Sequence, residues 1–389
     1  MTALDAILIG GGVAALASAI ALRRSGAGVD VFERAPSLRA SGGGLLLWAN
    51  AMRALRVLGL FDEVLSIGTP VETTEFRSAR GELLCSLPVG VLSREHGAPS
   101  VIVSRGSLLE VLASALPSAS IHTNLRCTGI EVFEDDDVVS ALFDDGSARD
   151  AELLIGADGI SSTVRGLLFG DEPLRETGQV AVVGIASHCE GLMEPGVAVA
   201  TVGSGLRFWA GPMRGGRVYW YATVKSFHGV SDNPTLAREQ LLELFHGFHE
   251  PIAALLDATE DAEWIRTPIR DREPSRRWGR GRATLLGDAA HPATPDLGQG
   301  ACQALESAVV LGECISEIDD VEQALRRYEQ RRMARTARMT QMSYVTAMQS
   351  MVEGPVLCAA RDMGVRLGLL AIAKQELPWV LGGVERGRR

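Results

Sequence analysis

The sequence lacks the cysteine patterns that mark disulfide frameworks and metal sites. Its six cysteines are scattered, with no CxxC pair and no histidine at metal-ligand spacing. We therefore predict no structural disulfide and no metal site, and a reducing cytoplasm fits such a chain. Long apolar runs are missing as well, because the stretch 364–384 is interrupted by Arg366, Lys374 and Pro378, among others. A membrane span is not expected.

A net positive charge is also missing. The net charge is −10, so no overall field draws the chain to nucleic acid or anionic lipid. Basic residues cluster only between Arg326 and Arg338, and this run predicts the solvated face of a helix, with Glu322 and Arg326 at the favourable four-residue spacing. We expect no cleavable leader, because the first apolar run, 5–9, leads directly into glycines. The 389 residues, 46% of them hydrophobic, predict a globular chain of two cooperating lobes.

The order of the apolar runs predicts two sheet regions connected by helices. A strand at 6–9, a helix at 13–24 and a strand at 29–33 form one right-handed βαβ unit. Further helices are predicted over 50–60, 104–116, 236–256 and most of the chain after 301. Hairpin turns are predicted at 134–137 and 144–147. Further strands are predicted over 197–202, 207–212, 217–224 and 283–286. The chain is thus predicted to form part of a nucleotide-binding domain, then a second sheet, and then the rest of the nucleotide-binding domain.

The first motif is the run Gly10-Gly-Gly-Val-Ala-Ala15, which follows the first strand. Gly10 permits the tight turn, and Gly12 lets the backbone approach a pyrophosphate at the N-terminus of the helix. Ala15 replaces the third glycine of the fingerprint and adds one methyl group at the helix–strand contact. Glu33 ends the second strand, where a carboxylate can accept hydrogen bonds from an adenosine ribose. This motif predicts a dinucleotide site but does not separate FAD from NAD.

Two further motifs also follow apolar strands. The run from Gly156 to Arg165 contains Asp158 and Gly159, and on its residues alone a plain Asp-Gly turn is an equal interpretation. The run 286–306 places Asp288 at the carboxyl end of a strand, and a Pro/Gly-rich loop then leads to a helix that begins near Gly300. The N-terminus of that helix can stabilise negative charge on a ligand, such as an anionic reduced flavin.

These three motifs, in this order and spacing, closely resemble the single-component FAD-dependent aromatic hydroxylases related to para-hydroxybenzoate hydroxylase. The resemblance covers residues 1 to about 340, includes the segments 42–50 and 104–108, and is nearest to the urate- and salicylate-hydroxylase branch. It implies an α/β fold with three parts. These are a discontinuous Rossmann-like FAD-binding domain (1–75, 100–178 and 275–340), an inserted antiparallel-sheet substrate domain (76–99 and 179–274) and a C-terminal helical segment (341–389).

The resemblance also implies roles for individual residues around FAD. Asp158 and Gly159 would lie near the pyrophosphate and the path of the nicotinamide cofactor, and Asp288 would bind the ribityl chain. The loop 295–300 would flank the isoalloxazine. The predicted cofactor-binding residues are Gly10, Gly12, Ala15, Glu33, Arg34, Gly44, Arg105, Asp158, Asp288, Pro295, Gly298 and Gly300.

The activity that the resemblance implies is that of an NAD(P)H-dependent monooxygenase. NADPH or NADH would reduce the flavin as a transient reductant, and O2 would then add to give a flavin C4a-hydroperoxide that hydroxylates a small hydrophobic, aromatic substrate. The expected protein is a cytoplasmic monomer or homodimer without nucleic-acid partners. A halogenase, dehydrogenase or epoxidase on the same scaffold, and a non-catalytic FAD-binding redox sensor, remain alternatives. A WxWxIP segment typical of the halogenases is absent.

Arg207 and Tyr219 are the predicted catalytic residues, because the urate-hydroxylase branch carries an arginine and a tyrosine at these positions. Arg207 would hold an anionic substrate or polarise a carbonyl, and Tyr219 would orient the ring. The alternatives are a surface ion pair for Arg207 and an ordinary sheet aromatic for Tyr219. His291 lies within the cofactor loop, and we predict that it packs there rather than acting as a general base.

Overall fold

A computed structural model of the chain describes residues 4–38, 43–132 and 137–383. Most of the predicted turn at 134–137 and Gly42 of the matching segment 42–50 lie outside these residues. The strands are, in chain order, β1 (Asp5–Ile9), β2 (Gly28–Glu33), β3 (Gly44–Leu47), β4 (Thr69–Pro70), β5 (Thr73–Ser78), β6 (Leu83–Leu87), β7 (Val101–Ser104), β8 (Ile121–Thr123), β9 (Cys127–Val132), β10 (Val139–Phe143), β11 (Ala148–Ala151), β12 (Leu153–Gly156), β13 (Arg175–Ala186), β14 (Val197–Val202), β15 (Leu206–Met213), β16 (Arg217–Lys225), β17 (Ile265–Asp271), β18 (Gly279–Arg280) and β19 (Ala283–Leu285).

The helices begin where the sequence supplies a suitable first turn. The side chain of Ser104 caps the helix at 105, and Asn233 followed by Pro234 starts another. The helices are α1 (Val13–Arg24), α2 (Ala49–Leu58), α3 (Phe61–Ile67), α4 (Val89–Glu95), α5 (Arg105–Ser114), α6 (Thr163–Phe169), α7 (Pro234–Leu244), α8 (Ile252–Asp257), α9 (Gly300–Glu317), α10 (Val321–Ser350) and α11 (Pro355–Gly382).

Most predicted elements are confirmed within one or two residues, and the predicted helix over 236–256 is wrong as a single element. The chain forms α7, leaves the helix after Leu244, and starts α8 at Ile252. Pro251 lies just before α8, and a proline supplies no N–H for the continuation of a preceding helix. The two short helices pack together on one face of the second sheet.

The first sheet has the order β18-β19-β12-β1-β2-β8. From β19 to β8 its strands run parallel, so residues far apart in the chain have their carboxyl ends at one edge. The helices α1 and α9 bury their small and aliphatic side chains in the same core as this sheet, together with the hairpin sheet β11-β10-β9. The short inner strands are almost wholly apolar, as strands covered on both faces require.

The second sheet has the order β17-β13-β16-β15-β14-β5-β6. Its outer face carries alternate residues such as Phe208 and Trp220, which pack under α7 and α8. Its inner face carries the intervening residues, including Trp209 and Tyr219, which meet Ile102 of β7 and the residues at β3. Because side chains alternate along a strand, the register of β15 and β16 decides which residues face the first domain.

The C-terminal helix α11 connects the two parts of the molecule. Near its start, the backbone N–H of Gly354 donates to Ser204 Oγ (3.1 Å) beside the second sheet. At its end, Val380 and Leu381 are buried, Leu381 in the core that contains the first sheet. Some apolar side chains of its first half are exposed, among them Val356. Within the described part of the chain, no helix is both long and apolar enough to cross a bilayer.

Candidate functional site

The three sequence motifs meet at one edge of the first sheet. Ile9 of β1 lies beside Gly156 of β12, which in turn lies beside Leu285 of β19. The backbone N–H of Ala157 donates to Ile9 O (2.8 Å), and that of Leu286 donates to Gly156 O (2.9 Å). The glycine turn, the Asp158 turn and the Asp288 turn therefore leave three neighbouring strands side by side. This is the strand-end crevice where open α/β sheets bind ligands.

Gly10 and Gly12 serve the turn in different ways. Gly10 has φ +116°, and a Cβ there would lie 2.4 Å from the carbonyl oxygen of Ala157, so a side chain is excluded by both backbone and packing. Gly12 precedes α1, and a Cβ there would meet no atom within 4 Å. The space beside Gly12 is thus open to a ligand, in front of the free N–H groups of α1. Ala15 is fully buried in the core and acts as a packing residue of the helix.

Glu33 ties the glycine loop to the end of β2. One carboxylate oxygen accepts from the backbone N–H of Gly11 (2.6 Å), and the other accepts from that of Ala35 (2.7 Å). Both oxygens keep a second lone pair for a ligand hydroxyl. Glu33 therefore shapes the loop as well as lining the groove beside it.

Asp158 caps the short helix α6 from the loop after β12. Its carboxylate accepts from the Ser162 hydroxyl (2.5 Å) and from the backbone N–H groups of Thr163 (2.7 Å) and Val164 (3.2 Å). Burial raises the pKa of this carboxyl, and these hydrogen bonds oppose the rise. Gly159 follows with φ +83° and open space where a Cβ would point. Asp158 thus holds the turn in shape, and Gly159 leaves room in front of it.

One groove runs along these turns. It is lined by Ile9, Gly10, Gly11, Gly12, Phe32, Glu33, Arg34, Arg105, Leu125, Arg126, Cys127, Ala157, Asp158, Gly159 and Thr163. Leu125 and Arg126 were not among the predicted residues. They lie in the loop between β8 and β9, which is bonded to the end of β2, since the N–H of Leu125 donates to Glu33 O (3.0 Å). No motif surrounds these two residues, so only the fold brings them to the groove. The basic side chains of Arg34, Arg105 and Arg126 give the groove a positive lining.

Asp288 lies beyond the groove, at the end of β19. Surrounding protein raises the pKa of its carboxyl, and the charge of Arg105 opposes this rise. The residue is nevertheless exposed to solvent. Arg105 thus connects the glycine groove to the third motif.

The loop 295–300 forms the far end of the site. Gly298 has φ +61° and lies against the indole of Trp48, whose Nε1–H donates to Leu297 O (3.1 Å). Gly300 starts α9, and a Cβ there would meet no atom within 4 Å. Pro295 is exposed beside it. The long helix α9 therefore presents its N-terminal N–H groups to an unobstructed space.

Behind this loop lies a buried charged network. Glu306 of α9 accepts from Arg332 (2.7 Å) and Arg335 (2.9 Å) of α10 and from the amide of Asn50 (2.5 Å). Arg332 is fully buried. The prediction that the basic run 326–338 forms a solvated face is therefore wrong for its central residues. Burial raises the pKa of Glu306, but the two guanidinium groups outweigh it and hold the pKa below its usual range.

The predicted pair between Glu322 and Arg326 is not among the ion pairs of the described residues, where Arg326 instead contacts Glu329 (2.8 Å). Arg335 of the network also donates to the carbonyls of Trp379 (2.9 Å) and Val380 (2.9 Å) at the end of α11. The network thus holds the end of α11 against α10, behind the cofactor loop.

His291 follows the Asp288 turn and is buried. Its Nε2 lies 3.2 Å from the hydroxyl of Ser307, and its ring packs on Trp278. Burial, assisted by the charge of Arg332, lowers the pKa of His291 to about 3. A neutral, enclosed imidazole fits the predicted packing role and not that of a general base near neutral pH.

The inner face of the second sheet places Arg207 and Tyr219 against the cofactor loop and β3. Arg207 Nη1 lies 2.5 Å from Asp296 Oδ1, with side chains 12% and 0% exposed, respectively. Arg207 also donates to the hydroxyls of Ser350 and Thr223 (both 3.2 Å). This is a buried ion pair, not the surface ion pair held open as an alternative. Asp296 lies inside the third motif, but no local pattern indicates its distant partner.

Tyr219 meets a predicted cofactor residue directly. A Cβ on Gly44 would lie 2.5 Å from the Tyr219 ring, so only glycine lets β3 pass so close to this side chain. Burial raises the pKa of the Tyr219 hydroxyl, which keeps it a neutral donor. Gly44, Tyr219 and Arg207 therefore bring the second sheet to the cofactor side of the molecule.

The residues of this site fit FAD. Space is open at Gly12, Gly159 and Gly300, where a Cβ would meet nothing within 4 Å. Arginines 34, 105 and 126 supply the charge that a pyrophosphate requires. The N-termini of α1 and α9 supply two sets of unsatisfied N–H groups for phosphate and for a flavin ring. A dinucleotide with a long second half can therefore reach from β2 to the start of α9.

Comparison with known proteins identifies similar sequences and folds. The family described as FAD binding domain matches residues 3–343. The aurachin C monooxygenase/isomerase of Stigmatella aurantiaca is 36% identical over 94% of this chain and 94% of its own. The FAD-dependent urate hydroxylase of Klebsiella pneumoniae is 34% identical over 85% of this chain and 86% of its own. The crystal structure of Klebsiella pneumoniae HpxO complexed with FAD and uric acid has a TM-score of 0.91 and 31% identity, covering 98% and 97% of the two chains.

Proposed function

The chain belongs to the FAD binding domain family, and from this premise we propose that it is an FAD-dependent monooxygenase that uses NAD(P)H and O2 to hydroxylate a small aromatic or heteroaromatic substrate. The relatives that carry monooxygenase and hydroxylase names span most of this chain. Bound FAD would supply the redox chemistry, taking hydride from the nicotinamide and activating oxygen. The residues of the chain hold the flavin, orient the substrate and exclude water.

The single observation that carries the proposal is the contact between the two halves of the site. The cofactor loop supplies Asp296, and the second sheet supplies Arg207, which lies 2.5 Å away. A substrate on the inner face of the sheet therefore lies within reach of a flavin at the start of α9. We accordingly propose the second sheet as the substrate-binding domain, close to the divisions predicted at 76–99 and 179–274.

We assign distinct tasks to the residues on each side. Gly12 and Arg105 would bind the pyrophosphate, Glu33 the adenosine ribose and Asp288 the ribityl chain. Arg207, fixed by Asp296, would polarise a substrate carbonyl and hold one orientation. The apolar side chains that surround Tyr219 in the interdomain core, including Ile185, Met213 and Ile102, would keep bulk water from the reacting ring.

We also propose a cytoplasmic location, which the cysteines support. All six are free thiols, and five of them are buried. Free, buried thiols without disulfides are typical of proteins in a reducing compartment.

The experiment is a turnover screen with purified holoprotein. Aromatic and heteroaromatic compounds should be tested for accelerated NAD(P)H oxidation, with mass analysis of products formed under ¹⁸O₂. One labelled oxygen per product is expected. A colourless protein that takes up no FAD, or a product free of label, would contradict the proposal.

Arg207→Gln tests the assigned site within the same screen. We expect a loss of turnover of at least tenfold with an unchanged flavin spectrum, because the substitution removes the guanidinium donor that would polarise and orient the substrate but leaves the groove intact. Arg270→Gln is the matched control, because Arg270 lies on the same sheet in an exposed pair with Glu176. Equal kinetics for the two variants would remove Arg207 from the site.

A further inference from the structure

The charge beside the substrate face is already cancelled. Arg207 lies on the inner face of β15, on the same side as Trp209, and Asp296, with no exposed side-chain surface, lies against it at 2.5 Å. The contact is an ion pair, since neither Asp296 oxygen makes a hydrogen bond of good geometry within the described residues. Two opposite unit charges at this distance present little net charge to a third group. A carboxylate brought to this corner would lose its hydration without finding a free counter-charge.

A neutral donor without a partner lies next to the ion pair. Tyr221 points to the same face of β16 as Tyr219, two residues away, and lies directly opposite Trp209 of β15. Its hydroxyl is buried and forms no hydrogen bond of good geometry within the described residues. The nearby Thr223 hydroxyl, which lowers the pKa of Tyr221, already accepts from Arg207 (3.2 Å). Buried hydroxyl groups normally have a partner, and an unpaired one costs free energy. The site therefore lacks an acceptor at this point.

The chemistry of the two phenols agrees with this geometry. Burial raises the pKa of both Tyr219 and Tyr221, and the charges of Arg207 and Asp296 both reach the Tyr221 hydroxyl. Both groups therefore remain protonated donors at neutral pH. They match a carbonyl, hydroxyl or ring-nitrogen acceptor on an uncharged aromatic ring, with Trp209 as an aromatic wall.

We propose that the site selects neutral aromatic substrates bearing a hydrogen-bond acceptor over aromatic carboxylates, and that Tyr221 donates to this acceptor. This inference rests on the proposed function, since it assumes that the inner face of the second sheet binds the substrate. It goes further by naming the substrate class and a specificity-determining residue that no sequence motif indicates.

The test compares acids with their amides, which share shape but differ in charge. Dissociation constants should be measured by calorimetry on oxidised holoprotein, without NAD(P)H, for 3-hydroxybenzoate against 3-hydroxybenzamide and 6-hydroxy-2-naphthoate against its amide. We expect at least one amide to bind tenfold or more tightly than its acid. The assignment is overturned if no amide of either pair binds more tightly than its acid, which includes the case in which none binds.

Tyr221→Phe then tests the donor. The variant should bind the preferred amide at least fivefold more weakly. Its flavin spectrum should be unchanged and its denaturation midpoint should not fall, because no bond within the protein is lost. Tyr344→Phe is the matched control, since Tyr344 packs its ring on Arg175 (3.6 Å) at the start of β13, whereas Tyr221 pairs with Val183 near the other end of that strand. An unchanged amide affinity in Tyr221→Phe would exclude the donor role. Because binding is measured without turnover, failure of this inference is distinct from failure of the monooxygenase assignment, which the labelled-oxygen screen reports.

Discussion

Arg332 offers a direct test of the buried network behind the cofactor loop. Its guanidinium donates to Glu306 (2.7 Å), Ser307 (3.0 Å) and the side chain of Gln303 (2.6 Å), and none of its side chain is exposed. Arg332→Met keeps an unbranched apolar stem and removes the charge. The substitution leaves Glu306, which is 4% exposed, with Arg335 as its remaining cation. We expect a marked loss of stability.

The magnitude follows from the cost of leaving a buried charge partly uncompensated. Breaking a buried ion pair by removing one partner typically costs about 3–5 kcal/mol. Arg335 still contacts Glu306 at 2.9 Å, so the lower end, about 3 kcal/mol, is expected. The free energy of unfolding should be measured by urea titration of FAD-saturated protein at pH 7, because bound ligand adds to stability and must be held constant.

Arg338→Met is the matched control on the same helix. Arg338 contacts Glu376 at 2.5 Å, but the two side chains are 48% and 37% exposed, and exposed pairs contribute about 0–1 kcal/mol. Its loss should therefore cost less than about 1 kcal/mol. Equal losses for the two variants, or a loss below 1 kcal/mol for Arg332→Met, would refute the reasoning that burial makes this network structural.

Two further predictions concern the cofactor turn and the buried histidine. Gly10→Ala should destabilise the protein by about 1–3 kcal/mol because of its positive φ, and further because of the clash with Ala157. Gly12→Val should change the stability by less than about 1 kcal/mol yet abolish FAD retention. Urea titration measures the stability of both variants and flavin absorbance measures their FAD content, and retained flavin in Gly12→Val would contradict the open space at that residue. The neutral His291, with its pKa lowered to about 3 against about 6.5 when unfolded, contributes stability that is complete above pH 6.5 and falls by about 1.4 kcal/mol per pH unit below it. Between pH 6.5 and 5, His291→Gln should lose this slope in unfolding free energies, and parallel curves for the two proteins would show that His291 is not held neutral.

Local pattern was sufficient for many elements of this fold, but no prediction covered the long strand β13 or the strand β17. The helix predicted at 13–24 is α1, because an apolar run, a preceding glycine turn and a following glycine all lie within a few residues. The strands around Arg207 and Tyr219 were likewise found from alternation, and the motif spacing placed Asp158 and Asp288 at strand ends. The prediction of a single helix over 236–256 was wrong because it followed the apolar residues across the whole stretch and disregarded the break before Pro251.

Contacts between distant elements could not be read in the same way. Arg332 looks like any solvated arginine on a helix until α9 lies over it and supplies Glu306. Asp296 stands in a recognised loop, yet its pairing with Arg207 depends on how the second sheet approaches that loop. Leu125 and Arg126 reach the groove only because their loop is hydrogen-bonded to the end of β2. Each of these depends on tertiary placement, which one sequence does not encode locally.

The strand order of the first sheet has a consequence for the synthesis of the chain. The strand made first, β1, lies between β2 and β12, and β12 is completed by β19 near residue 285. The helix α9, which covers α1, follows only after residue 300. A nascent chain therefore carries an unfinished crevice until more than three quarters of it has left the ribosome, because pairings so distant in sequence form late. Loading of the flavin must therefore await the last quarter of the chain, and a chain stalled before α9 would leave apolar surface of the first sheet and α1 exposed to aggregation.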